Sequence, residues 1–191
     1  VDSYSSRDLD FDSVVIDNFN GAFSAMAYLI GNNHRRIGLI GSSAESYPSV
    51  LERRRGYFSA LTQHGLSTDY VEEGELSRAS GYESTLKLLR RCPTISAIFA
   101  CNDETAFGVM SAARQLGYSL PDDLSIVGFD DIDLAQEVMP PLTTVHVDKV
   151  LMGTVALRML RDRAIDPTRS ALKTVVPTQL ISRGSVRKLE G

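Results

Sequence analysis

Polar side chains able to hold a small ligand follow the apolar runs of this sequence one after another. Asp17 and Asn18 come after residues 14–16. Gly41, Ser42 and Ser43 follow 37–40, with Arg53 in the first turn of the helix beyond; Asn102 and Asp103 follow 97–100, and Asp130 and Asp131 follow 125–127. A carboxylate accepts from two hydroxyls, an amide both donates and accepts, and a guanidinium offers a planar fork of donors. Such groups on one rim could clamp neighbouring hydroxyls. Each also has an ordinary structural role: Asp17, Asp103 and Asp131 read as helix N-caps or as partners of a helix dipole. Asn102 and Asp130 lie one residue earlier, at a strand tip, where ligand contact and turn-making both stay open. In the run Arg53-Arg54-Arg55, only a member pointing into the crevice could matter, and periodicity does not choose it.

Other chemistries find less support. Gly38-Leu39-Ile40-Gly41 is neither a dinucleotide fingerprint nor a P-loop, so no cofactor is expected. Asp130-Asp131 has no further acidic cluster or catalytic lysine beside it to make a metal or phosphoacceptor site, and there is no nucleophile elbow. His146, after Thr144 and Val145, reads as a strand residue rather than a base. Cys92 and Cys101 form no C-x-x-C pair and lie far in sequence from His34, His64 and His146, which argues against zinc and for a reduced, cytoplasmic setting. With a formal net charge of −4 and basic residues scattered among acidic ones, the chain lacks a nucleic-acid-binding footprint. No run approaches the ~20 apolar residues of a membrane span.

The elements that must position these residues alternate. Apolar runs at 14–16, 37–40, 70–71, 97–100, 125–127, 143–147 and 174–176 read as strands. Between them, Ala22, Met26 and Leu29, then Tyr57 and Leu61, then Ala106, Met110 and Ala113, then Met152, Val155 and Met159 recur at helical spacing. Ser49-x-x-Glu52 and Ser80-x-x-Glu83 read as capping boxes that open helices. Gly65, Gly117, Pro93 and Pro121 read as stops. The fold class is therefore α/β, doubly wound around a mostly parallel sheet, and polar residues at the carboxyl ends of the strands face the crevice where ligands bind.

The segments LIGNNHRRIGLIG (29–41), LERRRGYFSAL (51–61), SAIFACNDETAFGVMSA (96–112), LPDDLSIVGFDDIDLA (120–135) and PPLTTVHVDKVLMG (140–153), with VVPTQLISRGS near the end, resemble the effector domain of lactose-repressor (LacI/GalR) family regulators. They occur in the family's order from Val14 to Ser185, and GFDD followed by PPLTTV at this spacing is highly specific.

The resemblance implies a two-lobed, periplasmic-binding-protein-like fold, crossed three times by the chain and represented here mostly by its C-terminal lobe. Residues 1–16 would end the N-terminal lobe and make the first crossover, 17–142 would form the C-terminal lobe, 143–172 a crossover and a helix of the N-terminal lobe, and 173–191 a return strand and tail. It implies effector contacts at Arg53, Asn102 and Asp130, with Asp2, Tyr47 and Ser49 at the cleft and Lys149 speaking for the other lobe. Leu76 falls where many sugar-binding members carry an aromatic platform. The partners implied are a small sugar or polyol effector in an interlobe cleft, operator DNA held through an N-terminal helix-turn-helix outside this sequence, and a second copy in a homodimer; catalysis is not expected. A periplasmic sugar receptor of a transport system is the alternative, and the GFDD and PPLTTV wording favours the repressor.

Overall fold

The computed structural model describes Val1 and residues 11–190. The strands are β1 (Ser13–Ile16), β2 (Ile37–Ile40), β3 (Val71–Glu72), β4 (Ala97–Ala100), β5 (Ser125–Asp130), β6 (Thr143–His146), β7 (Lys173–Val176) and β8 (Gln179–Ile181). The helices are α1 (Asn18–Gly31), α2 (Pro48–Gln63), α3 (Arg78–Arg91), α4 (Asp103–Gln115), α5 (Leu134–Glu137) and α6 (Lys149–Ile165). Six strands form one sheet in the order β3-β2-β4-β5-β6-β8, parallel except for the antiparallel β6–β8 pair, while β1 and β7 pair in parallel as a second, two-stranded sheet.

The expected doubly wound architecture is present, and strand alternation shows how it is built. Successive side chains of a strand point to opposite faces. Ile37 and Leu39 of β2, Phe99 of β4, Val127 and Phe129 of β5 and Val145 of β6 pack with Ala22, Met26, Leu29, Tyr57 and Leu61 of α1 and α2. Ile40, Ile98, Ala100 and Ile126 point the other way, onto Leu88 and Leu89 of α3 and Ala106, Met110 and Ala113 of α4. Strands covered on both faces read as unbroken apolar runs, which is why the central ones were visible in the sequence. On the second face α3 and α4 meet backbone to backbone: a Cβ on Gly81 would strike the Thr105 carbonyl, and one on Gly108 the Arg78 carbonyl.

Helix ends followed the expectation at one terminus and departed from it at the other. Gly65 and Gly117 take positive φ (64° and 85°) just past α2 and α4. Neither capping box forms. α2 starts at Pro48, whose missing N–H suits a first helical position, and its N-cap Tyr47 gives no side-chain bond. α3 is capped by Ser77, which accepts from the Ser80 N–H, while Ser80 accepts from the Glu75 N–H. Asp17 does cap α1 through the Asn20 N–H.

Among the described residues the chain passes between the two sheets three times: from β1 into α1, from β6 into α6, and from β7 to β8. The strand at Thr174 pairs with β1, and β8, not anticipated, is the one that joins the six-stranded sheet. Asp12 ties the small sheet to α6. Its carboxylate receives Arg163 at 3.1 and 3.2 Å, Arg169 at 2.6 Å and the Leu172 N–H at 2.9 Å. Chiefly through Arg163, these contacts hold its pKa down to about 2. Among the described residues no helix is long and apolar enough to cross a membrane.

Candidate functional site

Arg53 is one turn further into α2 than expected, and it is buried, with 5% of its surface exposed. Its Nε donates to Asn18 Oδ1 at 2.8 Å and its NH1 to the Cys101 carbonyl at 2.6 Å, while its NH2 lies 3.3 Å from Asp130 Oδ1. The guanidinium lies over the Phe129 ring, 3.8 Å from its centroid. An arginine can be buried when its plane is stacked and its edge hydrogen-bonded in this way. α1, α2, β4 and β5 therefore converge on one cation at the carboxyl end of the sheet. Helix α2 carries it there because Val50, Tyr57 and Leu61 of the same helix are anchored in the core.

Asp130 and Asp131 follow at the end of β5 with φ of 106° and 50°, a left-handed pair of non-glycine residues. Such backbone persists only where neighbours hold it. The Asp130 carbonyl accepts from Lys149 Nζ at 2.6 Å. Asp131 is not a cap: it takes Arg183 NH2 at 2.7 Å and His146 Nδ1 at 2.8 Å. Burial opposes its charge, and Arg183 and His146 outweigh burial, so its pKa is lowered. Asp103 is not the cap either, but it stands in the first turn of α4, where a carboxylate faces the helix dipole. Its oxygens accept from Thr144 Oγ1 at 2.6 Å and from the Ile132 N–H at 2.9 Å, joining α4 to β6 and to the loop after β5. Burial pushes its carboxyl up to about 6 against these two bonds, and Asp130 and Asp131 add repulsion.

The other expected site residues are spread around this cluster. Asn102 caps α4, its Oδ1 accepting from the Thr105 N–H at 2.9 Å, so turn-making is the role its oxygen fills. Lys149 reaches the Asp130 backbone and not its carboxylate. Tyr47 and Leu76 line a separate concavity of about 750 Å³ with Ser43, Glu45, Ser46, Val50, Glu73, Gly74, Glu75 and Ser77; neither Arg53, Asn102 nor Asp130 lines it. Ser49, in the first turn of α2, is half-buried and is not among the residues lining that concavity. Asp2 lies outside the described residues. No group of three or more metal-ligating side chains occurs among the described residues, and burial pushes the Cys101 thiol up to about 11.

Residues 26–186 match the family of periplasmic binding protein-like domains. The chain belongs to that family. It is 31% identical over 182 residues to the HTH-type transcriptional repressor PurR of Mannheimia succiniciproducens, covering 94% of this chain and 54% of PurR. It is 35% identical over 184 residues to the HTH-type transcriptional repressor CytR of Escherichia coli strain K12, covering 95% of this chain and 54% of CytR. A LacI family transcriptional regulator from Enterococcus faecium, solved with bound ribose, superposes with a TM-score of 0.86 at 30% identity, over 94% of this chain and 66% of that one. The chain thus spans about half the length of the curated relatives it matches, and its fold is that of LacI-family effector domains.

Within this periplasmic-binding-protein-like domain, sequence reasoning missed three parts of the cluster. Asn18 stood on the rim but was not chosen, although the Arg53 Nε bonds to it. Phe129 sits inside an apolar strand, where nothing distinguishes a cation's platform from a core ring. Arg183 lies 52 positions after Asp131, and no local spacing could have joined them.

Proposed function

We propose that this domain is the effector-sensing part of a DNA-binding transcriptional repressor, and that its ligand is a small, neutral, hydroxyl-rich molecule of the sugar or polyol class. The observation that carries the reading is the Arg53–Asp130 pair at the carboxyl end of the sheet, in a chain whose relatives are named as repressors and one of whose structural neighbours holds ribose. Asp130, with 30% of its side chain exposed, supplies acceptors for hydroxyls, and Arg53 holds that carboxylate in place. Asn102, Tyr47, Ser49, Leu76, Lys149 and Asp2 are further contacts in this reading. It places operator contacts in a helix-turn-helix segment outside this chain, a homodimer on a two-fold operator, and the protein in the cytoplasm, with no catalytic step.

Two measurements test the reading. Calorimetric titration of the full-length protein with a sugar panel should find a ligand, and Asp130→Asn should weaken it by about tenfold to several hundredfold. A gel shift of the full-length protein on its operator should respond to that ligand, while residues 1–191 alone give no sequence-selective shift. A parent protein blind to every sugar and polyol, or an Asp130→Asn variant with unchanged affinity, would sink the proposal.

A further inference from the structure

We infer that His146 is a positioning residue for effector binding: its charged form braces Asp131 and, through the left-handed dipeptide, fixes the aim of Asp130, so that effector affinity rises on acidification. The inference deepens the proposed effector reading and rests on it, and it gives a role to a residue that the sequence offered only as a strand position.

His146 ends β6, facing Asp130 in the parallel register with β5 and Gln179 in the antiparallel register with β8. Its Nδ1 lies 2.8 Å from Asp131 Oδ2, and Arg183 NH2 lies 2.7 Å from Oδ1 of the same carboxylate, so each oxygen has a basic partner. The two partners differ in kind. A guanidinium stays charged at every pH a folded protein meets, whereas histidine is the side-chain type whose ordinary titration falls between about pH 5 and 8. Protons reach the ring, since the His146 side chain is 41% exposed against 14% for Asp131. An ionised carboxylate only accepts, so Nδ1 carries the hydrogen in the neutral ring as well. Deprotonation therefore leaves the hydrogen bond and removes the charge: the brace weakens without breaking.

Asp131 does not loosen alone. It and Asp130 hold φ of 50° and 106°, a backbone that relaxes once its restraints slacken. Such a rotation swings the Asp130 carboxylate, whose Oδ1 is 3.3 Å from Arg53 NH2, and the Asp130 carbonyl, which accepts from Lys149 Nζ at 2.6 Å. Lys149 is the first residue of α6, so the same loosening reaches the passage from the large sheet to the small one. Two further acids belong to these surroundings. Asp148 is occupied as the cap of α6, accepting from the Leu151 N–H at 2.7 Å. Asp103 of α4, pushed up to about 6 by burial, accepts from Thr144 of the same strand as His146 and titrates in the same interval. An Asp103→Asn variant separates the two groups.

The experiment is calorimetry of the full-length protein with ribose, glucose, galactose, fructose and xylitol, none of which titrates near neutrality, so any pH dependence belongs to the protein. The tightest binder of this panel should bind about two- to fivefold tighter at pH ~6 than at pH ~8, the size expected of one half-exposed ion pair. Linkage is reciprocal, so binding near pH ~7 should take up a fraction of a proton, read from how the heat varies with the buffer's own ionisation enthalpy. His146→Gln keeps a donor without the charge; it should hold the weaker affinity at both pH values and take up no proton. His146→Lys carries the charge throughout and should hold the tighter affinity at both. Asp103→Asn should keep the slope. A histidine with a merely structural role would instead lower affinity in both His146 variants by one factor at every pH. A slope that survives His146→Gln, a slope abolished by Asp103→Asn, or equal affinity of the parent at both pH values overturns the inference. The two readings fail differently. Sugar binding that depends on Asp130 but ignores His146 removes this inference alone, whereas silence across the whole panel removes the sugar reading and the inference together.

Discussion

Arg53, Arg54 and Arg55 are chemically identical neighbours with three different fates: Arg53 is buried on Phe129, Arg54 bonds Ser42, and Arg55 stands 6.0 Å from the Phe19 ring. Nothing in the run itself separates them, because the difference comes from what α1, β4 and β5 bring to the helix. The resemblance pointed to Arg53 as a ligand contact, and its burial makes it a part of the fold as well. Arg53→Ala removes the donors that meet Asn18 Oδ1 and the buried Cys101 carbonyl and the cation stacked on Phe129, so it should cost about 2–4 kcal/mol in urea denaturation as well as ligand affinity. Asp103 carries a pH signature of the opposite sense to most carboxylates. Its folded pKa, about 6, lies above the ordinary value of 3.8. Below both values the group is protonated in either state and contributes nothing. Between pH ~4 and ~6 the unfolded chain ionises first, so stability falls as pH rises and levels off above. A difference of that size corresponds to at most about 3 kcal/mol. Asp103→Asn should flatten that part of the stability-against-pH curve. A curve of the same slope in the variant would show that another group titrates there.

At the scale of elements, what was legible was what is local. The central strands were readable because both of their faces are buried, and Gly65 and Gly117 because a helix end asks for a left-handed residue. The capping boxes misled, because serine three residues before glutamate recurs inside helices too; Ser77 wins at α3 by meeting the orphan N–H of Ser80. β8 was missed because its three residues lie at the sheet's edge and none is fully buried. Its importance is nonetheless large, since Arg183 just beyond it bonds both Asp131 and the Leu142 carbonyl. Arg183→Ala should release the strained 130–131 dipeptide and weaken ligand binding severalfold, and Arg183→Lys should rescue it only in part because it lacks the fork. Equal affinity in all three proteins would separate β8 from the site. Asp12 plays the corresponding part for β1, α6 and β7. Its pKa is depressed to about 2, so its support is complete above pH ~4 and is lost as pH falls toward 2. In hydrogen exchange Asp12→Asn should speed the amides of β1 and β7 and spare β2, β4 and β5. Uniform acceleration across both sheets would show that the clamp is not local.

For the molecule as a whole, alternation gave the layers, but no spacing in the chain announces that β1 and β7 leave the large sheet to pair with each other. The resemblance implied two lobes but took the strand near Thr174 as the return, so the pairing of β1 with β7 was not foreseen. Three short passages join the sheets, and in the proposed reading a ligand held from both sides shifts their relative orientation by its differential affinity for the two states. Small-angle scattering of the full-length protein should therefore report a smaller radius of gyration with saturating ligand, and superimposable curves would count against closure. The glycine contact between α3 and α4 bears on how such a change could be seen. Gly81 against the Thr105 carbonyl and Gly108 against the Arg78 carbonyl leave no room for either helix to slide, since any residue brought into register by a one-turn shift would carry a side chain into the neighbouring backbone. The pair is a fixed plate. Probes placed across it should keep one separation at every ligand concentration, which makes this face the natural fiducial for spectroscopists: a label on α3 or α4, paired with one on α6, would register the hinge alone.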